Sequence, residues 1–174
     1  MPAAIRHLGV DYAVDHLVPH REVFRWIDDG QVLQFSVHIR YSPHCYSQGL
    51  EGDAPAESYV FSDPGGRRMF APHRHAHSLL VPGMIRGLVA KPTSRVSLTF
   101  ENNWSIYALS MTPPLRTGEL FYVFFRIRRS DPSELANGDK AVELYVESAY
   151  ARSRLVSLRE HKSFGAAVLA AHKK

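Results

Sequence analysis

The stretch DDGQVLQFSVHIRYS, residues 28–42, decides how this chain is read. Leu33, Phe35, Val37, Ile39 and Tyr41 alternate with Gln34, Ser36, His38, Arg40 and Ser42. Successive side chains of a strand point to opposite faces, so this period of two describes a strand with one buried face. Asp29-Gly30 supplies the residues that a two-residue hairpin turn needs. Residues 24–42 therefore read as a hairpin.

Working outward, residues 1–22 are mixed, and Pro19 limits any long helix there. The SQGLEGDAPAES stretch (47–58) reads as a polar loop, and Asp63-Pro64-Gly65-Gly66 as a turn. Residues 76–90 carry Leu79, Leu80, Ile85, Leu88 and Val89 at helical spacing, with a kink or restart at Pro82-Gly83. Beyond residue 94 strands follow: Val96–Phe100, a turn at Asn102-Asn103, 104–111, then ELFYVFFRIRR (119–129) and AVELYVESAY (141–150). A loop rich in Ser, Pro, Asn and Gly (130–139) joins the last two, and SFGAAVLAA suggests a C-terminal helix. The expected fold is α+β: an antiparallel sheet of about four to five strands with helices on one face, plus the N-terminal hairpin. One domain spans 1–174, with an N-terminal segment 1–22, a core 23–150 and a basic tail 151–174.

Composition narrows the classes. With 45% hydrophobic and 22% charged residues, the chain can bury a core and is not a disordered tail. No apolar run approaches the ~20 residues of a membrane span, and Met1–Val10 lacks the apolar stretch of a secretory leader. Cys45 is the only cysteine, which excludes an internal disulfide and a multi-cysteine zinc site. The cytoplasm is the expected setting. The net charge of +4 is uneven: residues 151–174 hold six Lys/Arg against Glu160 alone. Arg outnumbers Lys, 16 to 5, and the guanidinium fork suits phosphate.

Two sets of residues could carry chemistry. In the first, His38 and Arg40 share the polar face of their strand, and Arg126 and Arg128 share a face of theirs. Ser148 and Tyr150 end the last long strand. If strands 119–129 and 141–150 pair, these groups converge on one side of the sheet. That set fits RNA cleavage without metal, in which the 2′-hydroxyl is the nucleophile. Such cleavage needs a base, an acid and a cation for the charge on phosphorus. His38 or His44 is the expected base or acid, Arg126 with Arg40 the cation, and Ser148 and Tyr150 position the substrate. The bland reading pairs the arginines with Glu143 or Glu147 on a neighbouring strand. The second set is a zinc reading: His73, His75 and His77 share a face if extended, and His44 or Cys45 completes the shell. No CxxC or HExxH spacing accompanies it. A Cys45–His44 catalytic pair is disfavoured, because adjacent residues on a strand point apart.

YSPHCYS (41–47), and the stretch from Asn103 through the F-F-R strand at Arg126 to ELYVESAYAR (143–152), resemble a family of uncharacterised bacterial proteins of plasmids and prophages. The likeness covers roughly residues 33–152. The arrangement is also similar to the barnase/colicin/RelE-like ribonuclease superfamily. That likeness implies a toxin or phage-defence ribonuclease acting on RNA, with a cognate antitoxin as partner and no cofactor. It carries over no catalytic residue, and the chain departs from it in its extra hairpin and His-rich insertion. The competing expectation is a non-enzymatic mobile-element protein. It would bind zinc, or a protein or nucleic-acid partner, through its His/Cys clusters and basic tail.

Overall fold

A computed structural model describes residues 3–109, 111–130 and 140–173. The strand at the centre of the sequence reading, β4 (Gln31–Tyr41), pairs antiparallel with β3 (His20–Asp28). Asp29 and Gly30 turn the chain with φ of +48° and +77°, the two positive angles of a tight hairpin turn. Ahead of this hairpin lies a smaller one, β1 (Ala4–His7) and β2 (Val10–Ala13).

After β4, a second sheet forms from β5 (Ser47–Gly49), β6 (Val60–Asp63) and β7 (Gly66–Phe70), in the order β5-β7-β6. Two helices follow, α1 (Pro72–Ser78) and α2 (Val81–Ala90). Each has proline in its first turn, where a missing amide hydrogen costs no helical bond. The expected single kinked helix over 76–90 is therefore two helices, and the first begins early enough to take in His73, His75 and His77. The remaining strands are β8 (Arg95–Thr99), β9 (Trp104–Ala108), β10 (Leu120–Arg129), β11 (Lys140–Arg152) and β12 (Leu158–Ser163), and α3 (Phe164–His172) ends the chain. The connection expected at 130–139 lies outside the described residues beyond Ser130.

The principal sheet has seven strands in the order β12-β8-β9-β10-β11-β4-β3. It overturns the expected four-to-five-strand antiparallel sheet. The hairpin is no appendage but one edge of this sheet. It joins through a parallel pairing of β4 with β11, Phe35 opposite Lys140 through Tyr41 opposite Val146, so the sheet is mixed. The segment 151–174, read as a tail, supplies β12 beside β8 and the helix α3; Lys174 lies outside the described residues.

One face of the sheet forms the core. Phe35, Val37 and Ile39 of β4, Phe121, Val123 and Phe125 of β10, and Val142, Leu144 and Val146 of β11 form one buried cluster with Val81, Ile85 and Leu88 of α2 and Phe164 and Val168 of α3. Burying each such side chain contributes roughly 1.5–3 kcal/mol. Ser163 caps α3, its Oγ accepting from the Ala166 amide at 3.3 Å. Gly165 then lies against the Trp26 ring, where a β-carbon has no room. No helix among the described residues is long and apolar enough to cross a membrane.

A β-bulge sets the other face. Phe124 opposes Ser148 but Phe125 opposes Val146, leaving Glu147 as the extra residue. Strict alternation would put Ser148 and Tyr150 on the core side with Val142, Leu144 and Val146. The bulge instead turns Ala149 inward and brings Ser148 and Tyr150 to the outward face, with Arg126 and Tyr145.

Candidate functional site

The outward face can be laid out row by row. Arg40 of β4 lies opposite Tyr145 of β11, and Tyr145 opposite Arg126 of β10. In the next row stand Arg21, His38, Glu143 and Arg128. Glu143 carries two guanidiniums: Arg128 Nη2 donates to its Oε1 at 2.8 Å, and Arg40 Nη1 lies 3.5 Å from its Oε2. Arg126 Nε reaches Glu147 Oε1 at 2.9 Å and Asn103 Oδ1 at 3.0 Å. Exposed ion pairs of this kind add little stability. Their effect is to tie the guanidiniums of Arg40, Arg126 and Arg128 to carboxylates of β11, on the face that carries Tyr145. The pairing of the arginines with Glu143 and Glu147 and their gathering on one face hold together. Four guanidiniums face two carboxylates across these rows.

His44 stands at one end of this surface. β4 stops at Tyr41, and Ser42 opens a short 3-10 turn, Pro43–Cys45, by accepting the His44 amide at 3.1 Å. The turn sends Cys45 into the core and His44 outward. Cys45 is fully buried, and burial pushes its thiol up to about 12. Asp63 ends β6 in the Asp-Pro-Gly-Gly turn and meets His44, Nε2 to Oδ2, at 2.5 Å. The other oxygen, Oδ1, accepts the Gly65 amide at 2.8 Å, and Arg68 Nε lies 3.8 Å from Oδ2. The hydrogen bond from His44 above all, helped by the Gly65 amide, holds the Asp63 carboxyl below its ordinary range. An ionised carboxylate only accepts, so the proton of a neutral His44 sits on Nε2. Nδ1 then carries the lone pair of a base, and no partner occupies it among the described residues.

His44, Asp63, Ser42, Arg126, Glu147 and Ser148 line one open cleft of about 670 Å³. Three of the six residues expected to be catalytic, His44, Arg126 and Ser148, thus share a cavity. Arg40 and His38 lie farther along the same face. Tyr150 lines other clefts; its ring packs on Phe124 and lies under the Arg74 guanidinium, 4.8 Å away. Sequence reasoning missed Asp63 as a partner of His44, and missed Tyr145 and Asn103. For Asp63 the only signal was a turn motif, which says nothing of the distant residue it meets.

The residues of the zinc reading are spread out. His73 and His77 share one face of α1, four residues apart. His75 points elsewhere, against Tyr12, His16 and Phe70, with its Nε2 donating to the Ala13 carbonyl at 2.6 Å. Among the described residues no three His, Cys, Asp or Glu side chains are placed to hold one metal ion.

No curated protein and no solved structure matches the chain. A family model, that of the YjaZ family, matches residues 4–173. That match runs from β1 to the end of α3, taking in every element that builds the cleft, and the chain belongs to the YjaZ family.

Proposed function

We propose that the chain is a metal-independent endoribonuclease that cleaves single-stranded RNA on the outward face of its sheet. The observation that carries this reading is the His44–Asp63 pair opening onto the row Arg40–Tyr145–Arg126. An aromatic ring flanked by guanidiniums on an open sheet suits an unstacked base between two phosphates. His44 Nδ1 removes the 2′-hydroxyl proton, and Asp63 steadies the imidazolium that forms. The 2′-oxygen bonds to phosphorus, the bond to the 5′-oxygen breaks, and that oxygen leaves with a proton from water. The products are a 2′,3′-cyclic phosphate and a 5′-hydroxyl. Arg126 offers its remaining N–H groups to the charge on phosphorus, and Ser148 lies beside it to orient the phosphate. An RNA substrate and a lone buried cysteine suit the cytoplasm.

The test is incubation of purified protein with a labelled single-stranded RNA in EDTA. Cleavage is expected, with His44→Ala slowing it by about 10²-fold or more and Arg126→Ala also impairing it. Growth arrest on expression in cells should be relieved by the same two changes. Absence of cleavage, or cleavage unaltered in both variants, overturns the reading.

A further inference from the structure

A second cavity, of about 450 Å³, is lined by His73, Arg74, His77, Arg116, Glu119 and Tyr150 among others. Its charge is unbalanced. Arg74 donates through Nη1 to the Ser47 carbonyl at 2.6 Å and lies 3.4 Å from that of His44. Arg68 donates to the same Ser47 carbonyl at 3.1 Å. Two guanidiniums thus converge on one neutral oxygen. Arg68 has Asp63 at 3.8 Å, whereas Arg74 makes no ion pair among the described residues. Burial and the nearby Arg68 charge both depress the Arg74 guanidinium. A partly buried cation without a counterion is costly, and an anion beside it offsets that cost.

The neighbours point the same way. His73 and His77 project from the same face of α1. Arg74 and Arg116 line the cavity beside the two imidazoles; burial, then Arg74, His77 and Arg116, lower His73, with Glu119 opposing them. His77 Nε2 donates to the Pro113 carbonyl at 3.2 Å. The one carboxylate among the described residues that line the cavity, Glu119, accepts the Arg116 amide at 3.2 Å. Two guanidiniums and two imidazoles, approaching from α1 and from the 112–119 loop, can meet the several oxygens of a phosphate from more than one side. The cavity is also larger than a bare phosphate needs, and its wall includes Pro113 and Pro114.

We infer that this cavity is a binding site for a phosphate monoester, held by Arg74 and Arg116 with His73 and His77 around it. The phosphate is that of a free nucleotide or the 5′-phosphate of an RNA end. The site does not depend on the cleavage reading, since a mononucleotide has no strand to cut.

Calorimetric titration of the full chain tests it, with inorganic phosphate, uridine 5′-monophosphate, uridine, and hexauridylate with a 5′-phosphate or a 5′-hydroxyl. Saturable binding of the monophosphate and not of uridine is expected. Arg116→Ala, at an exposed position that leaves the fold intact, should weaken it about ten-fold. Glu119→Gln should tighten it, and His44→Ala should leave it unchanged. Tighter binding of the 5′-phosphorylated hexamer than of the mononucleotide identifies an RNA end as the source; the reverse order identifies a free nucleotide. No saturable binding of either phosphate ester, or binding indifferent to Arg116→Ala, overturns the proposal.

Discussion

Asp63 holds His44 by one imidazole nitrogen, so the ionisation of that carboxyl sets the pH range in which the pair exists. Its folded value lies below the ordinary 3.8, so the stability it contributes is present above about pH 4. That stability is lost as pH falls through the lowered folded value. Thermal melting followed from pH 6 down to pH 2 should show an acid limb, and Asp63→Asn should flatten it; equal slopes in the two proteins would refute the assignment. Cys45 gives a second residue-scale expectation. Its thiol is buried and protonated far above neutrality, so native protein at pH 8 should take up no iodoacetamide, while urea-unfolded protein takes up one equivalent. Rapid native labelling would contradict the burial. The sequence showed that Cys45 and His44 would point apart, though it assigned that separation to a strand. A 3-10 turn produces it instead.

Among the elements, α3 depends on one close approach. Gly165 sits on the Trp26 ring of β3, and an added β-carbon would overlap the indole. Gly165→Ala should destabilise the fold by about 1–3 kcal/mol, read as a lower urea midpoint with an unchanged slope. A neutral result would mean that the Trp26 ring moves aside freely. The β3–β4 hairpin was legible in the sequence because alternation and turn chemistry are local: Phe35, Val37 and Ile39 declare their face, and Asp29-Gly30 declares the turn. The short strands β1 and β5 were not, because three or four residues cannot display a period. The bulge at Glu147 was not legible either. Which residue of ELYVESAY goes unpaired depends on how Phe124 and Phe125 sit on the neighbouring strand.

Across the whole molecule, the basic C-terminal segment has a different role from the one its composition suggested. Lys173 reaches Asp28 at 3.1 Å, Arg159 reaches Asn102 at 2.6 Å, and Lys162 reaches Glu160 at 2.7 Å. Much of that charge is spent on contacts within the fold. The cations that line the two clefts described above come from β10, α1 and the 112–119 loop, in a body whose net charge is near zero. Net charge counts residues, whereas a site depends on which strands become neighbours, and the parallel contact between β4 and β11 spans about a hundred residues that no local pattern connects.

That parallel contact also governs the order in which the protein can be completed as it is made. The hairpin of residues 20–41 leaves the ribosome early, with β4 offering an unpaired row of backbone groups. Its proper neighbour, residues 140–146, is translated only after β8, β9 and β10. Through most of synthesis the edge that will lie inside the finished sheet is therefore open to other extended chains, and the emerging protein is most exposed to mispairing just before β11 appears.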